Sequence, residues 1–305
     1  MKISFVDNNF QYAKCYITRN YTELTKQILA GNYELDYEKR EDDFLCGYKI
    51  QKNEPLSSLY EDNYYSVRFY FANVDTLHQE KQETMMEAMM QHLLAEIEER
   101  KGYYNLRIPT HIVDLLKAYN KLPERGIFCG GTVEQYIANK EVPDNIKQGV
   151  KVFWANTQYV EKHKDLMLSM TYRSFETYQG QYHISHVTEN KAGKIYENWI
   201  RNSLLENSQD LVVVAEYNGI PIGFVTVAED DFALEGVLSA VSEEYRQYGA
   251  YKAMISYIVN SAYERGKSFI TSTQFDNFIV QGVWNSLGLK PFYSIYNIHI
   301  DKRDK

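Results

Sequence analysis

One stretch, Leu234 to Ile255 (LEGVLSAVSEEYRQYGAYKAMI), limits what this chain can fold into more than any other. Its first half, GVLSAV, is a short apolar run of the kind that sits centrally in a sheet. The following SEEYRQYG brings Arg246 and the backbone-permissive Gly249 to the mouth of a long helix. Orphan N–H groups and the positive end of the helix dipole converge at such a mouth, a glycine lets an anion approach the backbone, and a nearby arginine adds charge. By itself Arg-x-x-Gly opens many helices that bind nothing, so its weight depends on the residues around it.

Those residues form a regular order. From Tyr248 to Arg265 the stripe Ala250, Met254, Ile255, Ile258, Val259 and Ala262 has helical spacing, and Gly266 stops it. SFITSTQ reads as a strand, Asp276-Asn277 introduces a helix over Phe278 to Leu287 that Gly288 ends, and FYSIYNIHI alternates like a half-buried strand. Upstream, LVVVAEYNGIPIGFVTV reads as a hairpin turning at Asn218-Gly219.

Strand, anion-binding turn, helix, strand, Asn-led helix, strand resembles the core of the GCN5-related N-acetyltransferase (GNAT) superfamily. The hairpin is similar to its central hairpin, GVLSAV-SEEYRQYGAYKAMI to its acetyl-CoA motif, and TSTQFDNFIVQGVWNSLGLKPF to its Asn-containing segment. The resemblance covers about residues 150 to 300 and implies an α/β fold with a mixed sheet. It also implies acetyl-CoA as acyl donor and transfer to an amine by direct attack in a ternary complex, so no nucleophilic cysteine or serine is required. Backbone groups of Leu238, Ser239, Ala240 and Val241 correspond to those that hold the pantetheine and polarise the carbonyl. Arg246, Gln247, Tyr248, Gly249 and Ala250 correspond to the pyrophosphate turn, and Asn277 and Trp284 to further cofactor contacts. Two positions depart from the family. Tyr251 stands where the last small residue of the turn belongs, and Trp284 stands seven after Asn277, where many relatives have the tyrosine that protonates sulfur. Indole cannot donate to a thiolate as a phenol can, so the acid is open, with Tyr293 and Tyr296 as substitutes. For the base, the resemblance implies Glu235, four residues before Ser239 on the same strand. A partly desolvated carboxylate there has its pKa raised toward a useful value.

At 305 residues the chain is long enough for two domains, expected over 1–148 and 149–305. A net charge of −8 argues against a nucleic-acid partner. No run is long and apolar enough for a membrane span, and MKISFVDNNF lacks a signal-peptide core. Cys15, Cys46 and Cys129 have no CxxC spacing, which points to neither a disulfide framework nor a zinc site, and a reducing cytoplasm is the expected compartment.

Toward the N-terminus, YYSVRFYFANV, EKQETMMEAMMQHLLAEIEER, YYNLRIP, HIVDLLKAYNKL and GIFCGGTVEQYI repeat the order strand, helix, strand, helix, strand. This predicts a degenerate GNAT-like half with no Arg-x-x-Gly turn, serving as an acceptor-binding scaffold or a homodimer surface. Met85, Met86, Met89 and Met90, three and four apart, are expected in its core. Ahead of it, FVDNNFQYAKCYIT suggests a strand, TELTKQILAG a helix and LDYEKREDDF a charged loop; EVPDNIKQGV reads as the interdomain linker.

The first helix of the second domain is expected over Val160 to Phe175. The next segment, SFETYQGQYHISHVTENKAGKIYENWIRNSL, resembles bacterial dTDP-fucosamine (dTDP-4-amino-4,6-dideoxygalactose) N-acetyltransferases, where a similar stretch precedes a Tyr-x-x-Trp-Ile helix, here Tyr196, Trp199 and Ile200. That resemblance implies a nucleotide-linked amino sugar as acceptor, met by Arg173, Tyr178, Gln181, Tyr182 and His183. Another small amine, a peptide, or a non-catalytic acyl-CoA-binding role are the alternatives. His183 and His186 lack further ligands for a metal.

Overall fold

The computed structural model describes residues 30, 32, 34–42, 44–72, 78–110, 112–123, 126–138, 140–144, 146–176, 180–184, 188–205, 211–229, 231 and 233–303. Along the chain these form β1 (Tyr37–Glu41), β2 (Phe44–Lys52), α1 (Glu54–Tyr60), β3 (Tyr64–Ala72), α2 (Gln79–Arg100), β4 (Gly102–Pro109), α3 (Val113–Asn120) and β5 (Ile127–Ala138). There follow β6 (Val150–Trp154), α4 (Thr157–Glu176), α5 (Ala192–Leu205), β7 (Leu211–Tyr217), β8 (Ile220–Glu229), β9 (Ala233–Val241), α6 (Ala250–Glu264), β10 (Ser268–Gln274), α7 (Phe278–Ser286) and β11 (Lys290–Lys302). The chain divides into two compact units, 1–133 with 293–305, and 134–292.

The first unit carries a mixed sheet ordered β1-β2-β3-β4-β11, with β3 parallel to β4 and the other neighbours antiparallel. Its helix α2 buries Met85, Met86, Met89, Met90, Leu93 and Ile97, the apolar stripe expected of a core helix. The segment expected as a charged loop instead makes β1 and its turn. Tyr37 to Glu41 pair with Tyr48 to Phe44, and Asp42 takes a left-handed φ of 52°. A solvated edge strand needs no apolar alternation, so nothing in its composition announces it. Asn53 caps α1 by accepting the Leu56 N–H at 3.1 Å, with Pro55 in the first turn where its missing N–H does no harm. The expected N-terminal strand and helix at FVDNNFQYAKCYIT and TELTKQILAG lie outside the described residues, apart from residue 30 in a turn. The final strand belongs to this unit because Ile295 to Lys302 pair with Pro109 to Gly102 of β4.

Within that pairing His299 is 2% exposed and hydrogen-bonds through Nδ1 to the Tyr103 hydroxyl, while its Nε2 is buried with no partner among the described residues. Burial lowers its pKa to about 4. Below the ordinary histidine value the unfolded chain takes up a proton that the native state refuses. The stabilisation is therefore complete above about pH 6.5 and is lost as pH falls toward 4. Urea unfolding at a series of pH values should show this slope, and His299→Gln should flatten it between those limits; an equal slope in the two proteins would refute the assignment.

The second unit has a sheet ordered β10-β9-β8-β7-β6, antiparallel except for the β9–β10 pair. Asn218 and Gly219 both have positive φ (50° and 80°), as a two-residue hairpin turn of this twist requires. One face of the sheet packs on α6 and α7 through Met254, Ile255, Ile258, Val259, Trp284 and Leu287. The other packs on α4 and α5 through Met167, Met170, Tyr196 and Ile200. Helix α4 spans the expected Val160 to Phe175 and slightly more. Both α6 and α7 end on glycines of positive φ, Gly266 (68°) and Gly288 (80°), whose successors bond back into the last turn: Lys267 N–H to Ala262 C=O at 2.8 Å, Leu289 N–H to Trp284 C=O at 3.0 Å. EVPDNIKQGV, expected as a linker, is part of this unit. Val142 is 5% exposed, donates its N–H to Asn260 Oδ1 at 2.8 Å and accepts from Asn260 Nδ2 at 2.9 Å. A side-chain amide that satisfies both polar groups of one residue acts here as a strand partner would.

Candidate functional site

The site is built on the parting of two parallel strands. β9 and β10 pair from Ala233↔Ser268 to Gly236↔Thr271, yet β9 runs on to Val241 and β10 to Gln274. Gly236 sits at the last pair, where a Cβ would come within 3.1 Å of the Phe269 ring and 3.3 Å of Thr271 Oγ1. Beyond it the two strands diverge.

A bulge sets which way β9 faces from there. Against β8, Val227 pairs with Gly236 but Thr226 pairs with Leu238, leaving Val237 as the extra residue. Four residues apart on a regular strand, Leu234 and Leu238 would share a face. Instead Leu234 packs with α6 and α7, and Leu238 packs with α4 and α5. The backbone follows the same count. The Leu238 N–H donates to Thr226 Oγ1 at 3.2 Å and the Ser242 N–H to the Ile222 carbonyl at 2.9 Å, both toward β8. Alternation then turns the backbone groups of Ser239 and Val241 toward the side that β10 has left, and those of Leu238 and Ala240 away from it. Of the four residues expected to present backbone groups, Ser239 and Val241 thus carry them into the opening. Glu235, next to Leu234 and half-buried, faces the α4–α5 side one residue before the strands part.

At the end of β9 the chain makes a 3₁₀ turn, Glu243–Tyr248, and enters α6 through Gly249 (φ 69°, ψ 20°). Among the described residues no side chain caps α6. Its first N–H groups are therefore available to an anion. Lys147 stands over the turn, its Nζ donating to the Gln247 carbonyl at 2.8 Å and its Cε 3.3 Å from where a Cβ on Gly249 would lie. A hollow of about 480 Å³ is lined here by Lys147, Gln148, Gln247 and Tyr248. Arg246 is 62% exposed on its side chain and pairs with Glu243 at 3.5 Å. Two cations and an uncapped helix suit a pyrophosphate. Lys147 was missed in the sequence because it lies 100 residues before Gln247 in a stretch that reads as a linker.

Tyr251, the departure from the family turn, does not fill that hollow. Its side chain goes inward, where its hydroxyl accepts the Trp284 Nε1–H at 3.0 Å and hydrogen-bonds Ser239 of β9. Burial holds its pKa well above the usual phenol range against the opposing pull of those two bonds. Trp284 is 1% exposed within the core of α6 and α7. Asn277 caps α7, its Oδ1 accepting the Val280 N–H at 3.4 Å and its Nδ2 donating to Thr273 Oγ1 at 2.9 Å. Of the two other tyrosines considered as acids, Tyr296 sits on β11 opposite Ile108 in the first unit, and the side chain of Tyr293 lies outside the described residues.

Among the residues expected to meet an acceptor and their neighbours, Phe175 and Tyr196 stack at 4.1 Å, and Tyr182 meets Tyr196 edge-on at 5.6 Å. Arg173 is exposed in the last turn of α4. The His183 ring donates through Nε2 to the Glu176 carbonyl at 3.1 Å, while its Nδ1 is buried with no partner among the described residues. Tyr178, His186 and the side chain of Gln181 lie outside the described residues. Among the described residues no group of His, Cys, Asp and Glu gathers as a metal site, and no helix is long and apolar enough to cross a membrane.

The second unit, three layers around a sheet with parted parallel strands, has the GNAT fold. Comparison with known proteins bears on the same residues, since 169–289 match the model of the acetyltransferase (GNAT) family. No curated protein matches the sequence. Among solved structures, a GCN5-related N-acetyltransferase from Sphaerobacter thermophilus superposes with a TM-score of 0.59 at 11% identity, over 92% of this chain and 86% of that one. One from Kribbella flavida gives 0.50 at 10% identity, over 94% and 96%. A tandem GNAT protein from the clavulanic acid biosynthesis pathway gives 0.50 at 8%, over 79% and 76%. At such identities the likeness is one of fold, and it extends across both units, so the N-terminal unit is a GNAT-like α/β domain as well.

Proposed function

We propose that this protein is an acetyl-CoA-dependent N-acetyltransferase whose donor site lies in the second unit. The observation that carries this reading is the parting of β9 and β10 directly beside an uncapped helix entered through Gly249 and overhung by Lys147. A pantetheine arm needs strand backbone on one side, and a pyrophosphate needs N–H groups and cations; the two lie at the two ends of residues 237–250. Ser239 and Val241 would hold the arm and polarise the carbonyl, and the turn with Lys147 and Arg246 would hold the phosphates. Glu235 takes the proton that the attacking amine must lose, directly or through water.

As acceptor we propose a nucleotide-linked amino sugar, reached in the cytoplasm. Its support is the likeness of residues 175–204 to the dTDP-fucosamine type of enzyme, together with the aromatic wall of Phe175, Tyr182 and Tyr196 and the exposed Arg173, which suit a sugar ring and a diphosphate. Calorimetry with acetyl-CoA, followed by assay of CoA release with nucleotide amino sugars, polyamines and peptides, tests both statements. Saturable binding and turnover with the sugars is the expected result. Turnover with peptides or polyamines alone would overturn the acceptor, binding without any turnover would leave an acyl-CoA-binding protein, and absence of binding would overturn the donor site.

A further inference from the structure

Trp284 stands where many relatives carry the acid, and its indole N–H cannot protonate a thiolate; Tyr251 stands where they carry a small residue. Both departures meet at one hydrogen bond, Trp284 Nε1–H to the Tyr251 hydroxyl at 3.0 Å. The same hydroxyl bonds Ser239, whose backbone is turned toward the opening left by β10. From this arrangement we infer that Tyr251 is the general acid of the reaction, a phenol supplied by α6 in place of one on α7. The inference rests on the donor site proposed above.

An indole N–H can only donate, so the Tyr251 oxygen accepts from Trp284 and its own proton is directed elsewhere. A donor aimed at a phenol oxygen favours the phenolate that remains after the proton has gone. Burial meanwhile keeps the phenol protonated at neutral pH. In the reaction the amine nitrogen bonds to the thioester carbonyl carbon, the carbon–sulfur bond breaks, and its electron pair on sulfur takes the Tyr251 proton. The proton released by the amine nitrogen passes to Glu235 or water, and an equal proton from solvent restores the phenol. Atoms and charge balance without any further reactant. Trp284 acts through Tyr251 and is a positioning residue.

Tyr251→Phe and Trp284→Phe, compared with the parent protein, test this. CoA affinity would be measured by calorimetry, and release of CoA from acetyl-CoA would be followed across pH, with water and with each amine of the acceptor panel. Tyr251→Phe is expected to keep CoA affinity and lower kcat about 10²-fold. Trp284→Phe is expected to lower kcat less, at unchanged CoA affinity and KM, and to cause no further loss when Tyr251 is already phenylalanine; a merely structural role for Trp284 would lower kcat equally in both backgrounds. A Tyr251→Phe protein that binds CoA and turns over at the parent rate overturns the inference while leaving the donor site intact. So does a parent protein that binds CoA and never releases it from acetyl-CoA. If the parent protein does not bind CoA, the donor-site reading fails first and the inference falls with it.

Discussion

Glu235→Gln is expected to lower kcat/KM by about 10²-fold with little change in acetyl-CoA affinity, the loss falling on the acid side of the pH–rate profile. An acceptor amine is largely protonated at neutral pH, so a base matters most where the free amine is scarce. Glutamine keeps the size and hydrogen bonding of the side chain and removes only its capacity to take a proton. The position suits the task. Glu235 is half-buried, one residue before β9 and β10 part, on the face opposite Leu234 and so toward α4 and α5. A variant with parental rates and an unshifted acidic limb would remove Glu235 from the mechanism and leave the base as an ordered water or the acceptor itself.

Gly249→Asp is expected to weaken acetyl-CoA binding tenfold or more, about 1.4 kcal/mol in binding free energy, as read by calorimetry. Two effects add. At φ 69° any side chain strains the backbone, and the new Cβ would lie 3.3 Å from Lys147 Cε. The carboxylate would also sit where we propose the pyrophosphate lies, and would neutralise Lys147. Gly249→Ala separates these, since it carries the backbone strain without the charge and should cost less affinity. Lys147→Ala should weaken binding on its own by removing one cation. Unchanged affinity in Gly249→Asp would show that the phosphates bind elsewhere than at this turn.

Much of this was legible in the sequence because it is written in local chemistry. The stripe Ala250, Met254, Ile255, Ile258, Val259 and Ala262 fixes α6 as a buried helix, since 3.6-residue periodicity is a property of neighbouring residues alone. Asn218-Gly219 turns a hairpin because both positions need positive φ. Gly266 and Gly288 end their helices for the same reason. The methionines of α2, three and four apart, announce its buried face. Strand β1 escaped because an exposed edge strand of charged residues has no apolar rhythm to detect.

What the sequence by itself determined, then, is most of the order of elements from β3 onward, the two helical faces and the turn through Gly249. The tertiary structure decided which side chains meet. Whether EVPDNIKQGV links two domains or lays Lys147 over the turn into α6 depends on Asn260, 118 residues from Val142, supplying the bonds that hold it. The extra residue at Val237 reverses the faces of β9, and so decides that Ser239 and Val241 rather than Leu238 and Ala240 turn backbone groups to the opening. Tyr251, a misplaced residue when the turn is read alone, becomes a candidate acid only because Trp284 and Ser239, from a helix and a strand on either side, meet its hydroxyl. Propensity and periodicity act over a few residues. The direction of a side chain at a bulge, or of a hydroxyl between two elements, is set by packing against segments that are distant in the chain, and no local pattern records it.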